Sequence, residues 1–153
     1  VITAAGGRDV TSKETYHSII RDFGAGDIIS LTALRDDKTR TFQVHSRTFP
    51  EQLTEDLAYK LLGVRVADIS SASRLKFRIA AKDGVMVTEV RPGAYLDRIG
   101  ARPGDVIRRI NEVPVKTLND FKRALIKYRQ REFAALLIQR GNQQYYVTAR
   151  TEA

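Results

Sequence analysis

Apolar positions along this chain follow two different periods, and the switches between them outline its elements. Residues 1–4 and 106–110 are short, dense apolar stretches of the kind that form strands, and each leads through a turn to a second extended piece ending at Val10 or Val115. Tyr16, Ile19, Ile20 and Phe23 then recur at steps of three and four, as do Leu118, Phe121, Ala124, Leu125 and Tyr128, which predicts two helices with one apolar face each. Thr11 or Ser12 is placed to cap the first helix and Thr117 the second, because a hydroxyl there can accept from a free amide of the first turn. Strands are predicted at 28–34 and 133–139. Each is followed by a polar turn, Arg35-Asp36-Asp37-Lys38 or Arg140-Gly141-Asn142-Gln143, and a closing strand.

These two series are one pattern used twice. A shift of 105 positions carries Val1 onto Val106, Val10 onto Val115, Tyr16 onto Phe121, Ile20 onto Leu125, Leu31 onto Leu136 and Arg35 onto Arg140 without a gap. Few residues are identical, yet the apolar pattern is kept. The second copy has additional elements in front of it. Gly63 to Asp68 predicts a strand, residues 70–76 a helix-prone stretch, and Asp83-Gly84 a turn into a strand at 85–90 whose alternating Val85 and Val87 suggest one buried face. Pro92-Gly93 ends that strand, residues 94–99 predict a short helix stopped at Gly100, and Pro103-Gly104-Asp105 turns the chain into the next strand. Pro50 breaks the chain between the copies, and Leu53, Leu57 and Leu61 carry helical spacing. The expected organisation is therefore half a domain at 1–46, a linker with a helix at 47–61, and a whole domain at 62–153.

Composition narrows the function classes. A hydrophobic share of 42% and a charged share of 29% are those of an ordinary globular chain, and no apolar run reaches the roughly 18 residues of a membrane span. Val1 stands where an initiator methionine would, so the expectation is a piece of a longer chain whose targeting segment lies elsewhere. With no cysteine there is neither a disulfide nor a thiolate metal site. The net charge of +8 raises nucleic-acid binding, but the basic residues are scattered and no aromatic residues interleave with them as a stacking platform, so a solvated basic surface is the better account. Catalysis has no support. None of the seven serines has a glycine neighbour to shape a nucleophile turn, His17 and His45 lack triad partners, and there is no metal-binding histidine motif; no catalytic residue, metal or cofactor is expected.

The segment from Gly84 to Ala94, followed by Ile99-Gly100-Ala101-Arg102-Pro103-Gly104-Asp105-Val106-Ile107 and by Ile110-Asn111, resembles the core signature of bacterial PDZ domains: a Gly-Val strand, Pro-Gly-small, a short helix ending in Gly, then Gly-Asp-x-Ile and Ile-Asn. Tyr95 and Leu96 depart from the small residues usual after Pro-Gly. Copies in tandem look like the C-terminal portion of HtrA/DegP-type trypsin-like serine proteases, though other membrane and processing peptidases carry such domains too. The resemblance implies an α+β fold, a PDZ-like partly open β-barrel or sandwich with two helices in the circularly permuted bacterial arrangement, preceded by the C-terminal half of a second PDZ-like copy. It also implies a periplasmic or cell-envelope location and an attached protease domain.

By the same resemblance, an extended peptide or the C-terminus of an unfolded protein, with an apolar last residue, would add as a strand between Val64–Val66 and the second long helix. The amides of Leu62, Gly63 and Val64 would hold its carboxylate, Val64 and Val66 would face the groove with Arg65 turned away, and Leu118, Lys122 and Leu125 would form the helical wall. Lys122 would favour an acidic or hydroxyl residue two places before the end. Two other readings stand beside this one. Leu62, Val64, Val66 and Leu125 are equally suited to a hydrophobic core, and the helix before Leu62 is placed to block the loop. If the groove is covered, the domains would serve a homo-oligomer instead.

Overall fold

The computed structural model describes residues 1–50 and 52–151; Glu51 of the expected linker, and Glu152 and Ala153 at the end of the expected whole domain, lie outside them. It divides into two compact units, Val1–Phe49 and Pro50–Ala153. Both are mixtures of open antiparallel sheet and helix, with five helices among the described residues. No helix is long and apolar enough to cross a membrane.

In the first unit, β1 (Ile2–Ala5), β2 (Arg8–Asp9), β3 (Ile28–Arg35) and β4 (Lys38–His45) form a sheet in the order β2-β1-β3-β4. Helix α1 (Lys13–Ile20) begins where the hydroxyl of Ser12 accepts from the Thr15 amide at 3.1 Å, which decides between the two cap candidates. It is shorter than its pattern suggests, because the chain leaves the helix at Arg21 ahead of the glycines at 24 and 26. Phe23 thus falls outside the helix and packs on Gly6, where any Cβ would lie 2.5 Å from the ring. Asp36 and Asp37 both adopt positive φ in the β3–β4 turn, as a two-residue hairpin of this hand requires.

The second unit holds the main core. Its sheet runs β10-β9-β7-β6-β5, built from β5 (Val64–Asp68), β6 (Val85–Val90), β7 (Val106–Ile110), β9 (Phe133–Arg140) and β10 (Gln143–Arg150), with β8 (Val113–Pro114) paired to β7. Helix α5 (Leu118–Tyr128) starts with a reciprocal capping box between Thr117 and Asp120 and lays Phe121, Ala124, Leu125 and Tyr128 on the sheet. Helix α2 (Gln52–Leu62) completes the core with Ala58, Leu61 and Leu62. The expected linker helix thus packs as part of this unit. Two short helices, α3 (Ser71–Phe77) and α4 (Tyr95–Arg98), follow β5 and β6. Leu96, one of the departures from the small-residue pattern, is buried in the core.

The shift of 105 positions extends to the hydrogen-bonded register. Ile2 pairs with Ala33 and Ala5 with Leu31 in the first unit; Ile107 pairs with Ile138 and Ile110 with Leu136 in the second. Both ladders carry an irregularity at the same place, between Ile2 and Ala4 and between Ile107 and Arg109. One expectation fails for a tertiary reason. Strand β6 does not have a single buried face: Met86 is buried as well as Val85 and Val87, because Ile79, Ala81 and Val106 form a second cluster on its other side.

The motif residues have structural work within the second unit. Asp105 is buried and accepts from Arg140 through both oxygens, at 2.6 and 2.7 Å, and from the Arg102 amide at 3.0 Å. Its backbone carbonyl accepts from Val87, so the Gly104-Asp105 turn is pinned to β6 and β9 together. Asn111, at φ 49°, exchanges two bonds with Ala135: its amide donates at 2.7 Å and its side-chain oxygen accepts at 2.9 Å. Asparagine tolerates this left-handed backbone better than most residues.

Candidate functional site

Strand β5 is the last strand of its sheet, so one edge of its backbone is left unpaired by other strands. The Arg91 amide donates to the Gly63 carbonyl at 2.7 Å while Val64 lies opposite Val90. In an antiparallel ladder that arrangement makes Val64 and Val90 a wide pair, so the N–H and C=O of Val64 point away from β6. Helix α5 lies alongside β5, and Asp68 at the far end of the strand accepts from the Leu118 amide at 2.9 Å. Two walls of a groove are therefore present.

Helix α2 lies against both walls. Its last residue is Leu62, and the amide of Gly63 continues the helical pattern by donating to the Tyr59 carbonyl at 3.1 Å. The guanidinium of Arg91 donates to the same carbonyl at 3.1 Å, and the Tyr59 ring has Arg65 at 4.7 Å and Arg91 at 5.6 Å from its centre. Gly63 itself has φ 70°, and a Cβ there would meet that of Ala94 at 2.3 Å, so only glycine fits between α2 and α4.

What remains open between these elements is a cavity of about 150 Å³ lined by Thr54, Glu55 and Ala58 of α2, Arg65 and Val66 of β5, Thr88 of β6, and Leu118, Phe121 and Lys122 of α5. Of the residues expected to bind a peptide, the fold gathers Arg65, Val66, Leu118 and Lys122 at this cavity. Leu62, Gly63, Val64 and Leu125 are buried away from it; Leu62, Val64 and Leu125 belong to the core cluster. Arg65 was expected to point away from Val66. It lines the same cavity as Val66, and the β5–β6 ladder skips Thr88 between the pairs Arg65–Glu89 and Val66–Val87, a bulge on β6. Glu89 also holds the Arg65 guanidinium at 3.3 Å.

Thr54, Ala58, Glu55, Thr88 and Phe121 are the lining residues that sequence reasoning missed. The signal for the first two was present in the spacing: Thr54, Ala58, Leu61 and Leu62 fall on one helical stripe. The leucine pattern favoured Leu53, Leu57 and Leu61 instead, yet Leu53 is half exposed. The helix is turned so that its small residues approach β5 and α5 closely. Thr88 gave no signal, since a bulge depends on the partner strand.

A PDZ domain family model matches residues 86–143, the stretch from β6 to the β9–β10 turn. These residues are thus similar to a PDZ domain. The chain is 28% identical over 147 residues to the periplasmic serine endoprotease DegP of Salmonella typhimurium, covering 96% of this chain and 29% of that protein. It is 24% identical over 147 residues to a probable periplasmic serine protease do/HhoA-like of Haemophilus influenzae, covering 96% of this chain and 30% of that protein. The chain thus spans less than a third of the length of these relatives. Among solved structures it is similar to the HtrA-type protease AlgW with decapeptide, at a TM-score of 0.51 and 16% identity over 98% of this chain and 53% of that one, a likeness of fold.

Proposed function

We propose that this chain is a non-catalytic, peptide-binding regulatory module of an HtrA-type serine protease in the periplasm or cell envelope, and that the peptide adds as a strand to β5. The observation that carries the reading is the unpaired edge of β5, with the main-chain groups of Val64 turned away from the sheet beside helix α5. The cavity supports it. Its β5 and α5 walls, with Val66, Leu118 and Phe121, suit one aliphatic side chain, and the cations Arg65 and Lys122 suit an acidic neighbour on the same peptide. The first unit is then the C-terminal half of another PDZ-like copy, as its shared register with β7–β10 suggests.

The test is an anisotropy titration of the 153-residue chain with a labelled decapeptide ending in aspartate, alanine and valine. Saturable binding that Lys122→Glu weakens at least fivefold is the expected result. Lys122 is half exposed, so this change leaves the core intact.

The packing of α2 against both β5 and α5 favours a second reading, in which the groove is never free and the chain holds copies of a larger assembly together. That reading expects no saturable peptide binding and association that rises with concentration in sedimentation.

A further inference from the structure

We propose that helix α2 is a reversible plug of the β5–α5 groove, hinged at Gly63, which an incoming peptide must lift. The inference rests on the peptide-binding reading and adds a regulatory step to it.

The two ends of α2 are held unequally. Its C-terminal end is fixed by Leu61 and Leu62 in the core, by the Gly63–Tyr59 bond and by Arg91 on the Tyr59 carbonyl. Its N-terminal half fits poorly. Thr54 is 1% exposed, and its hydroxyl has no hydrogen-bond partner among the described residues, an arrangement that penalises the docked position. The cavity of about 150 Å³ lies beside this same half, between Thr54, Glu55 and Ala58 and the two walls. Contacts that would hold the first turns of the helix down are missing there. A helix anchored at one end and underpacked at the other can lift by pivoting.

The plug covers the groups a peptide would need. With α2 docked, its Thr54, Glu55 and Ala58 lie against Arg65, Val66, Leu118 and Lys122, between β5 and α5. A groove open only part of the time binds with an affinity lowered by the open fraction. Changes in how well α2 docks therefore shift peptide affinity, in opposite directions for opposite changes.

The experiment uses the full chain and the labelled decapeptide ending in aspartate, alanine and valine. Thr54→Val removes the unpaired hydroxyl without changing the shape of the side chain, so it stabilises the docked helix and weakens binding at least threefold. Ala58→Asp puts a charge on the buried face, lifts the helix and tightens binding at least tenfold. The plug is overturned if T54V raises the melting temperature yet binds as well as the parent. It is equally overturned if A58D keeps a cooperative melting transition and binds no tighter, while parent binding survives as support for the peptide reading alone. Absence of binding by the parent and both variants overturns the peptide reading, and the plug with it.

Discussion

The amide of Gly63 donates to the carbonyl of Tyr59 at 3.1 Å, and through this bond a helix ends inside the loop where the family resemblance places a carboxylate-binding nest. The same carbonyl accepts from Arg91, so one oxygen ties together α2, the start of β5 and the end of β6.

Gly63→Ala tests how tightly this junction is built. The new methyl would meet Ala94 at 2.3 Å, on a backbone at φ 70° that an L side chain adopts with strain. We expect a loss of about 2–4 kcal/mol in chemical denaturation. A loss under about 0.5 kcal/mol would show that the α2–β5 junction relaxes freely.

Asp105 and Arg140 should respond unequally to removal. Asp105 is 1% exposed, whereas about a third of the Arg140 side chain reaches solvent. The hydrogen bonds that Arg140 donates to Asp105, opposed in part by desolvation, hold its guanidinium above its usual pKa. Arg140→Met strands a buried carboxylate and should cost about 3 kcal/mol or more, while Asp105→Asn, which leaves a cation able to rehydrate, should cost less. Urea unfolding of both variants checks the order.

Acid should loosen the cap of α5. The Arg123 side chain first, then the amides of Lys116 and Thr117, hold the Asp120 carboxyl below its usual value. A lowered folded pKa means that the stabilisation is complete above the ordinary value of 3.8 and is lost as pH falls through the folded value. Asp120→Asn should therefore melt below the parent at pH 7, and the gap should close at the acid end. A gap constant with pH would remove the carboxylate from the cap.

Amide exchange should separate the two copies of the repeat. Leu31 and Leu136 occupy equivalent sites in their sheets, but the fully buried apolar residues of the first unit are Ala5, Ile19 and Ile29, against the continuous core beneath β9. Local opening is easier where fewer apolar contacts must break. The Leu136 amide should be protected at least a hundredfold more than that of Leu31; equal protection would mean that the first unit draws its stability from elsewhere.

The sequence by itself determined the local elements, because each rests on interactions between residues close along the chain. The cap at Thr117 and one at Thr11 or Ser12, the hairpin turns at Asp36-Asp37 and Gly141-Asn142, the helical face of Phe121, Ala124 and Tyr128, and the repeat at 105 positions were all written in spacing and residue type. Tertiary structure decided what depends on distant partners. It buried Met86 by bringing Ile79 and Ala81 over β6, it gathered Arg65 and Val66 at one cavity, and it set a bulge in β6 at Thr88. It also buried Thr54 and Ala58 of α2 while leaving Leu53 of the leucine stripe half exposed. Periodicity tells a helix that it must bury one face. Which face, and against which strand edge, depends on the shape waiting for it, and here small residues fit where leucines would not.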